Sequence, residues 1–148
     1  MKGVIRMQEY ASLLKKYDLK ATTPRLAILE MIDHAGHSSI EELSGSVCEK
    51  YPSVSLGTIY KNVECMTDKG LLTPIAITNE KQKYEITKAP HIHLICRSCL
   101  SVMDKAYMPI PQLKELADES GFLLHRESIN LYGLCPVCRQ SQKTKENT

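Results

Sequence analysis

The chain has 148 residues, 43% hydrophobic and 24% charged, with a formal net charge of +2. These are the proportions of an ordinary globular protein. No apolar run is long enough to cross a bilayer as a helix, and the opening residues lack the apolar stretch of a signal peptide, so a cytoplasmic protein with no membrane partner is expected. Residues 1–87 carry as many acidic as basic side chains, so a nucleic-acid interface in that half must be a local patch rather than bulk charge.

Leu13, Leu14 and Tyr17 predict a first helix ending near Asp18. Thr23-Pro24 reads as an N-cap followed by proline at the first helical position. Leu26, Leu29 and Ile32 continue that helix at near-helical spacing, and Gly36 stops it. Ser38-Ser39-Ile40-Glu41-Glu42 matches a capping box, opening a third helix through Leu43 and Val47. Pro52 breaks the chain, and Ser55 caps a fourth helix carrying Ile59, Val63 and Met66 to Gly70. The runs from Leu71 to Thr78 and from Gln82 to Thr87, around Asn79-Glu80-Lys81, have the composition of a β-hairpin.

Three helices, a fourth after a tight turn, and then a hairpin make the order of a winged helix-turn-helix. The second helix of such a motif enters the major groove. Here that helix carries Ser55, Thr58, Tyr60, Lys61 and Asn62, groups suited to phosphates and base edges. An exposed amphipathic helix that binds nothing has the same composition.

Lys88-Ala89-Pro90 marks a boundary, because proline disfavours helix before it and interrupts a strand ladder. Beyond it, Ile92–Cys96 and Val102–Asp104 read as strands. Pro109-Ile110-Pro111 precedes a helix with Leu113, Leu116 and Ala117 on one face, stopped at Gly121, and the stretch from Phe122 to Tyr132 contains a further strand. The tail is polar and is expected to be disordered.

Cys96-Arg97-Ser98-Cys99 and Cys135-Pro136-Val137-Cys138 each place two sulfurs at knuckle spacing. In a reducing compartment, four thiolates suit the closed tetrahedral site of structural Zn(II). Residues 100–134 separate the pairs, so the fold must join them. A metal there staples the start of a small unit to its end. A redox dithiol, an iron–sulfur site and two disulfides are the rival uses. Cys48 and Cys65 fall on predicted helices and read as small buried residues. His91-Ile92-His93 alternates along a strand, placing both imidazoles on one face where they can share a metal ion.

The segment from His91 to Cys99, the helix from Ser55 to Asn62 and Leu131-Tyr132-Gly133-Leu134-Cys135 together resemble the ferric uptake regulator family, with the motifs in family order over residues 10–138. The resemblance implies an α+β homodimeric repressor rather than an enzyme. An N-terminal winged-helix DNA-binding domain (1–87) and a hinge (88–90) would precede a small α/β dimerisation and metal-binding domain (91–140) and a disordered tail (141–148). It implies Zn(II) on Cys96, Cys99, Cys135 and Cys138, and a regulatory Fe(II) or Mn(II) on His37, Glu85, His91, His93 and Asp104. Double-stranded operator DNA is the implied partner, contacted through Arg25, Ser55, Thr58, Tyr60 and Lys61. Taken singly, His37 reads as a polar residue after a helix stop, Asp104 as an end-of-strand acid and Glu85 as a solvent-facing strand residue.

Asp104 is like the peroxide-sensing members, in which bound Fe(II) and hydrogen peroxide oxidise a ligand histidine, here His37 or His91. Glu85 is like the iron-responsive members instead. Peroxide sensing is the expectation, with iron-responsive repression as the alternative. A metalloenzyme and a zinc-stapled interaction adaptor are remoter readings. A third metal site found in many members is expected to be missing: its positions hold Pro90, Ile92, Pro111 and Glu127, and His125 is out of register.

Overall fold

The computed structural model describes residues 7–77, 81–125 and 127–146. The chain divides into two compact units, Met1–Lys88 and Ala89–Thr148.

The first unit contains α1 (Met7–Lys16), α2 (Thr23–Ala35), β1 (Ser38–Ser39), α3 (Ile40–Lys50), α4 (Leu56–Asp68), β2 (Leu72–Ile75) and β3 (Lys83–Ile86). The proline-led start of α2 lies one residue earlier than the sequence suggested: Thr22 is the cap, Thr23 is already helical, and no side chain completes that cap. The capping box is built on Ser39. Its hydroxyl accepts from the Glu42 N–H at 3.2 Å, and its own N–H donates to the Glu42 carboxylate at 2.7 Å. Ser55 caps α4 by accepting from the Thr58 N–H at 3.2 Å.

Helix α2 packs against α1, α3, α4 and β3. Ala27, Ile28, Leu29 and Ile32 line its inner face and meet Leu14, Leu43, Val47, Ile59, Val63 and Met66 in one core. Tyr10 is also buried there and donates to the Asp33 carboxylate at 3.0 Å. Desolvation, then the Asp33 bond and charge, hold its phenol well above the usual range.

Helix α2 ends at Gly36, whose N–H donates to the Ile32 carbonyl at 2.7 Å with φ +81°, a left-handed conformation that glycine adopts without strain. The chain then turns into β1, a strand of two residues that carries no periodic signal in the sequence. β1 pairs antiparallel with β3 (Ser38↔Tyr84, Ser39↔Lys83), and β3 pairs with β2 to form the hairpin. Asn79 and Glu80 of the expected turn lie outside the described residues.

The second unit is a three-stranded sheet, β4 (His91–Cys96), β5 (Val102–Ala106) and β6 (Ile129–Gly133), with α5 (Pro111–Glu119) and α6 (Pro136–Glu146). β4 is central, antiparallel to β5 and parallel to β6. The tail expected to be disordered over 141–148 is instead helical through Glu146. The Cys135 carbonyl accepts the Arg139 N–H at 2.9 Å, which starts a helix at the second knuckle. Ser141 and Thr144 then bond back to the carbonyls of Val137 and Gln140 at 3.1 Å. Polar composition argues against burial, but it does not prevent a helix whose first turn is anchored.

Candidate metal centres and nucleic-acid interface

The four knuckle cysteines come together in the second unit, their sulfurs all within 4.8 Å of one another. Central strand β4 ends at Cys96, and the turn after it returns through Leu100, which takes φ +61°. The Leu100 N–H donates to the Cys96 carbonyl at 3.0 Å and the Cys96 N–H to the Ser101 carbonyl at 2.9 Å, closing the first knuckle. The parallel register sets Cys96 level with Gly133, which delivers Cys135 to the same place. There the Cys135 N–H donates to the Cys96 sulfur at 3.3 Å, and the Cys138 N–H to the Cys135 sulfur at 3.5 Å.

Tetrahedral zinc with arms of about 2.3 Å requires sulfur–sulfur edges of about 3.8 Å. Cys99 and Cys135 are 3.8 Å apart, and all four residues are free thiols rather than disulfides. The electrostatics agree. Backbone N–H groups, that of Cys135 first, pull the Cys96 thiol down to about 6. The Ser101 hydroxyl and N–H hold Cys99 below its usual range. Cys138 is driven up to about 11: the Ser98 hydroxyl acts downward, but Cys135, desolvation, Cys99 and Cys96 outweigh it. Four sulfurs this close resist full ionisation without a cation, so the donor set fits a thiophilic divalent metal.

A second cluster lies on the same sheet. His93 on β4 is level with Asp104 on β5 and with Asn130 on β6. The Nε2 atoms of His91 and His93 are 2.8 Å apart, and each is 3.9 Å from Asp104 Oδ1. The opposite nitrogens face oxygens: His91 Nδ1 is 2.9 Å from the Ala89 carbonyl, and His93 Nδ1 is 3.0 Å from Asn130 Oδ1. A carbonyl oxygen only accepts, so these contacts place the proton on each Nδ1. The two rings then turn Nε2 toward each other at 2.8 Å, an arrangement that suits a cation held between them.

In the first unit, extending the β1–β3 register by one residue sets His37 level with Glu85. Their side chains meet, His37 Nε2 lying 3.4 Å from Glu85 Oε2. Glu85 is 2% exposed, not the solvent-facing strand residue that its alternation suggested. Lys88 Nζ, 3.5 Å from the same oxygen, brings positive charge to it.

On α4, Tyr60 is 48% exposed and Lys61 is exposed beside it. The Ser55 and Thr58 hydroxyls bond to each other at 2.9 Å at the helix start. Arg25 is placed differently from a freely projecting side chain. Its guanidinium donates to Asn62 Oδ1 at 3.0 Å, the Lys20 carbonyl at 3.0 Å and the Cys65 sulfur at 3.6 Å, tying α2 to α4. Asn62 completes that tie by donating to the Thr58 carbonyl at 2.8 Å.

Asn130 belongs to no motif in the sequence, yet it stands beside His93. The one available signal was its strand phase, two residues before Tyr132, and that becomes informative only once β6 is known to lie parallel to β4.

A winged helix-turn-helix and a metal-ready sheet in one chain define the class of metal-dependent transcription factors. Residues 16–132 match the model of the Ferric uptake regulator family. The chain belongs to that family, and it is a metal-dependent transcriptional regulator rather than an enzyme. It is 32% identical over 142 residues to the transcriptional regulator FurA of Mycobacterium tuberculosis, covering 94% of this chain and 96% of that one. To the peroxide operon regulator of Bacillus subtilis it is 24% identical over 138 residues, covering 92% and 95%. Its fold is similar to the ferric uptake regulator of Vibrio cholerae, with a TM-score of 0.70 and 33% identity over 84% of this chain and 98% of that one. The peroxide stress regulator of Campylobacter jejuni gives a TM-score of 0.67 and 33% identity over 86% and 97%. No helix among the described residues is long and apolar enough to cross a membrane.

Proposed function

We propose that the protein is a homodimeric repressor that reads hydrogen peroxide through an Fe(II) or Mn(II) site and releases operator DNA when that site is damaged. The observation that carries the reading is the convergence of His91, His93 and Asp104, whose donor atoms lie within 3.9 Å of one another on β4 and β5. His37 and Glu85 of the first unit complete the set by family resemblance. Imidazoles with carboxylates suit Fe(II), Mn(II) or Zn(II). Zn(II) on Cys96, Cys99, Cys135 and Cys138 is structural.

When bound, Fe(II) supplies the electrons that reduce peroxide beside His37 and His91. The residues hold the ion and orient the rings; loss of one imidazole donor weakens the site. On that resemblance, metal occupancy biases which dimer geometry presents two α4 helices to two half-sites. Support for a homodimer comes from the apolar side chains exposed on the second unit, among them Leu116, Phe122, Leu123 and Leu131.

Two measurements test this. Protein isolated without oxygen, loaded with Fe(II) and treated with peroxide is expected to gain about 16 Da, one oxygen, on His37 or His91. Iron-responsive repression, the alternative that Glu85 favours, predicts unmodified histidines and binding that follows iron supply alone. In a gel shift, added Mn(II) is expected to retard operator DNA. Lys61→Ala is expected to weaken that binding on every sequence and to lower the salt slope by about 1, as loss of one phosphate contact requires. Affinity and slope unchanged at moderate salt would remove Lys61 from the interface.

A further inference from the structure

The imidazole–carboxylate cluster contains one polar side chain that the ligand set does not include. Asn130 stands on β6, level with His93 in the parallel register, and points its Oδ1 at His93 Nδ1 at 3.0 Å. His93 is buried, and its ring has no rotational freedom that would preserve both this contact and the approach to His91 Nε2. We propose that Asn130 is a positioning residue: its carbonyl keeps the proton of His93 on Nδ1 and so presents Nε2 to the regulatory metal.

The chemistry follows from the two nitrogens being alternatives. A neutral imidazole carries one proton, and a metal accepts only the bare nitrogen. A ring with the proton on Nε2 must shift it before coordinating, whereas one with Nδ1–H bonded to an acceptor is ready. Partners of this kind also raise the basicity of the ligand and fix its plane. His91 obtains the same service from the Ala89 backbone carbonyl at 2.9 Å, which no side-chain substitution removes. His93 depends on a side chain, so this half of the site can be tuned by mutation.

The inference rests on the assignment of His93 as a ligand, and the experiment separates the two. Mn(II) affinity is measured on zinc-replete full-length protein from the electron paramagnetic resonance signal of free Mn(II). His93→Ala is the control: if it leaves Mn(II) binding intact, the ligand assignment fails. With that control lost as expected, Asn130→Leu, similar in size but without an acceptor, is expected to weaken Mn(II) binding by about 10–100-fold. Asn130→Asp, which can only accept, is expected to restore it. Zinc content and dimer state are expected to be unchanged in both variants. Mn(II) affinity within about threefold of wild type in Asn130→Leu, below that range, overturns the proposal. So does an Asn130→Asp protein as weak as Asn130→Leu, because packing rather than an accepted hydrogen bond would then be the cause.

Discussion

Cys135→Ser is expected to empty the four-sulfur site and unfold the second unit while the first stays folded. Cys135 holds three relationships at once: its N–H donates to the Cys96 sulfur, its sulfur accepts from the Cys138 N–H, and it lies 3.8 Å from Cys99. The unit around it buries few apolar side chains, with Ile92, Ile95, Cys96 and Ala117 as its buried hydrophobic residues among those described. A unit of that size seldom gains more than about 3–5 kcal/mol from its core alone. Structural zinc contributes about 10–16 kcal/mol in comparable small sites, which exceeds the whole stability of many domains. Zinc content by mass spectrometry and the amide spectrum of residues 89–146 read the two effects. A Cys135→Ser protein with stoichiometric zinc and a dispersed second-unit spectrum would show that the knuckles are not the staple.

Leu29→Ala is expected to produce the largest loss in the first unit. Leu29 is fully buried on α2 within the core of the first unit, so the change opens a cavity in that core. Leucine-to-alanine changes in such cores cost about 2–5 kcal/mol, depending on how far the site collapses. In a unit of this size each kcal/mol lowers the melting temperature by about 4–8 °C, so a fall of at least ~8 °C is expected. Because α4 rests on this core through Ile59, Val63 and Met66, operator affinity is expected to fall along with stability. A melting temperature within ~3 °C of wild type, well under that scale, would mean that the core repacks around the lost side chain.

Much of the first unit was legible because its signals are local. The Ser39–Glu42 capping box, the Ser55 cap and the Gly36 stop each act within one helical turn, so the residues that make the structure are adjacent in the chain. The start of α2 was displaced by one residue because Thr22 and Thr23 are both acceptable before Pro24, and only the backbone chooses between them. The tail differs from its expected disorder for another reason. Its helix starts from the Cys135 carbonyl, which is held in place by the fold of the second knuckle rather than by the composition of the tail.

The candidate sites divide along the same line. By itself the sequence determined the two Cys-x-x-Cys pairs and the shared face of His91 and His93, since two-residue and three-residue spacings dictate which side chains a short turn or strand brings together. Tertiary structure alone decided the rest. β1, two residues long and too short to carry a period of its own, set His37 level with Glu85 and turned an apparently solvent-facing acid into a buried one. The parallel pairing of β6 with β4 brought Asn130 to His93 across 37 residues of chain. Register between distant strands depends on the summed packing of two faces, and no local run of residues encodes it.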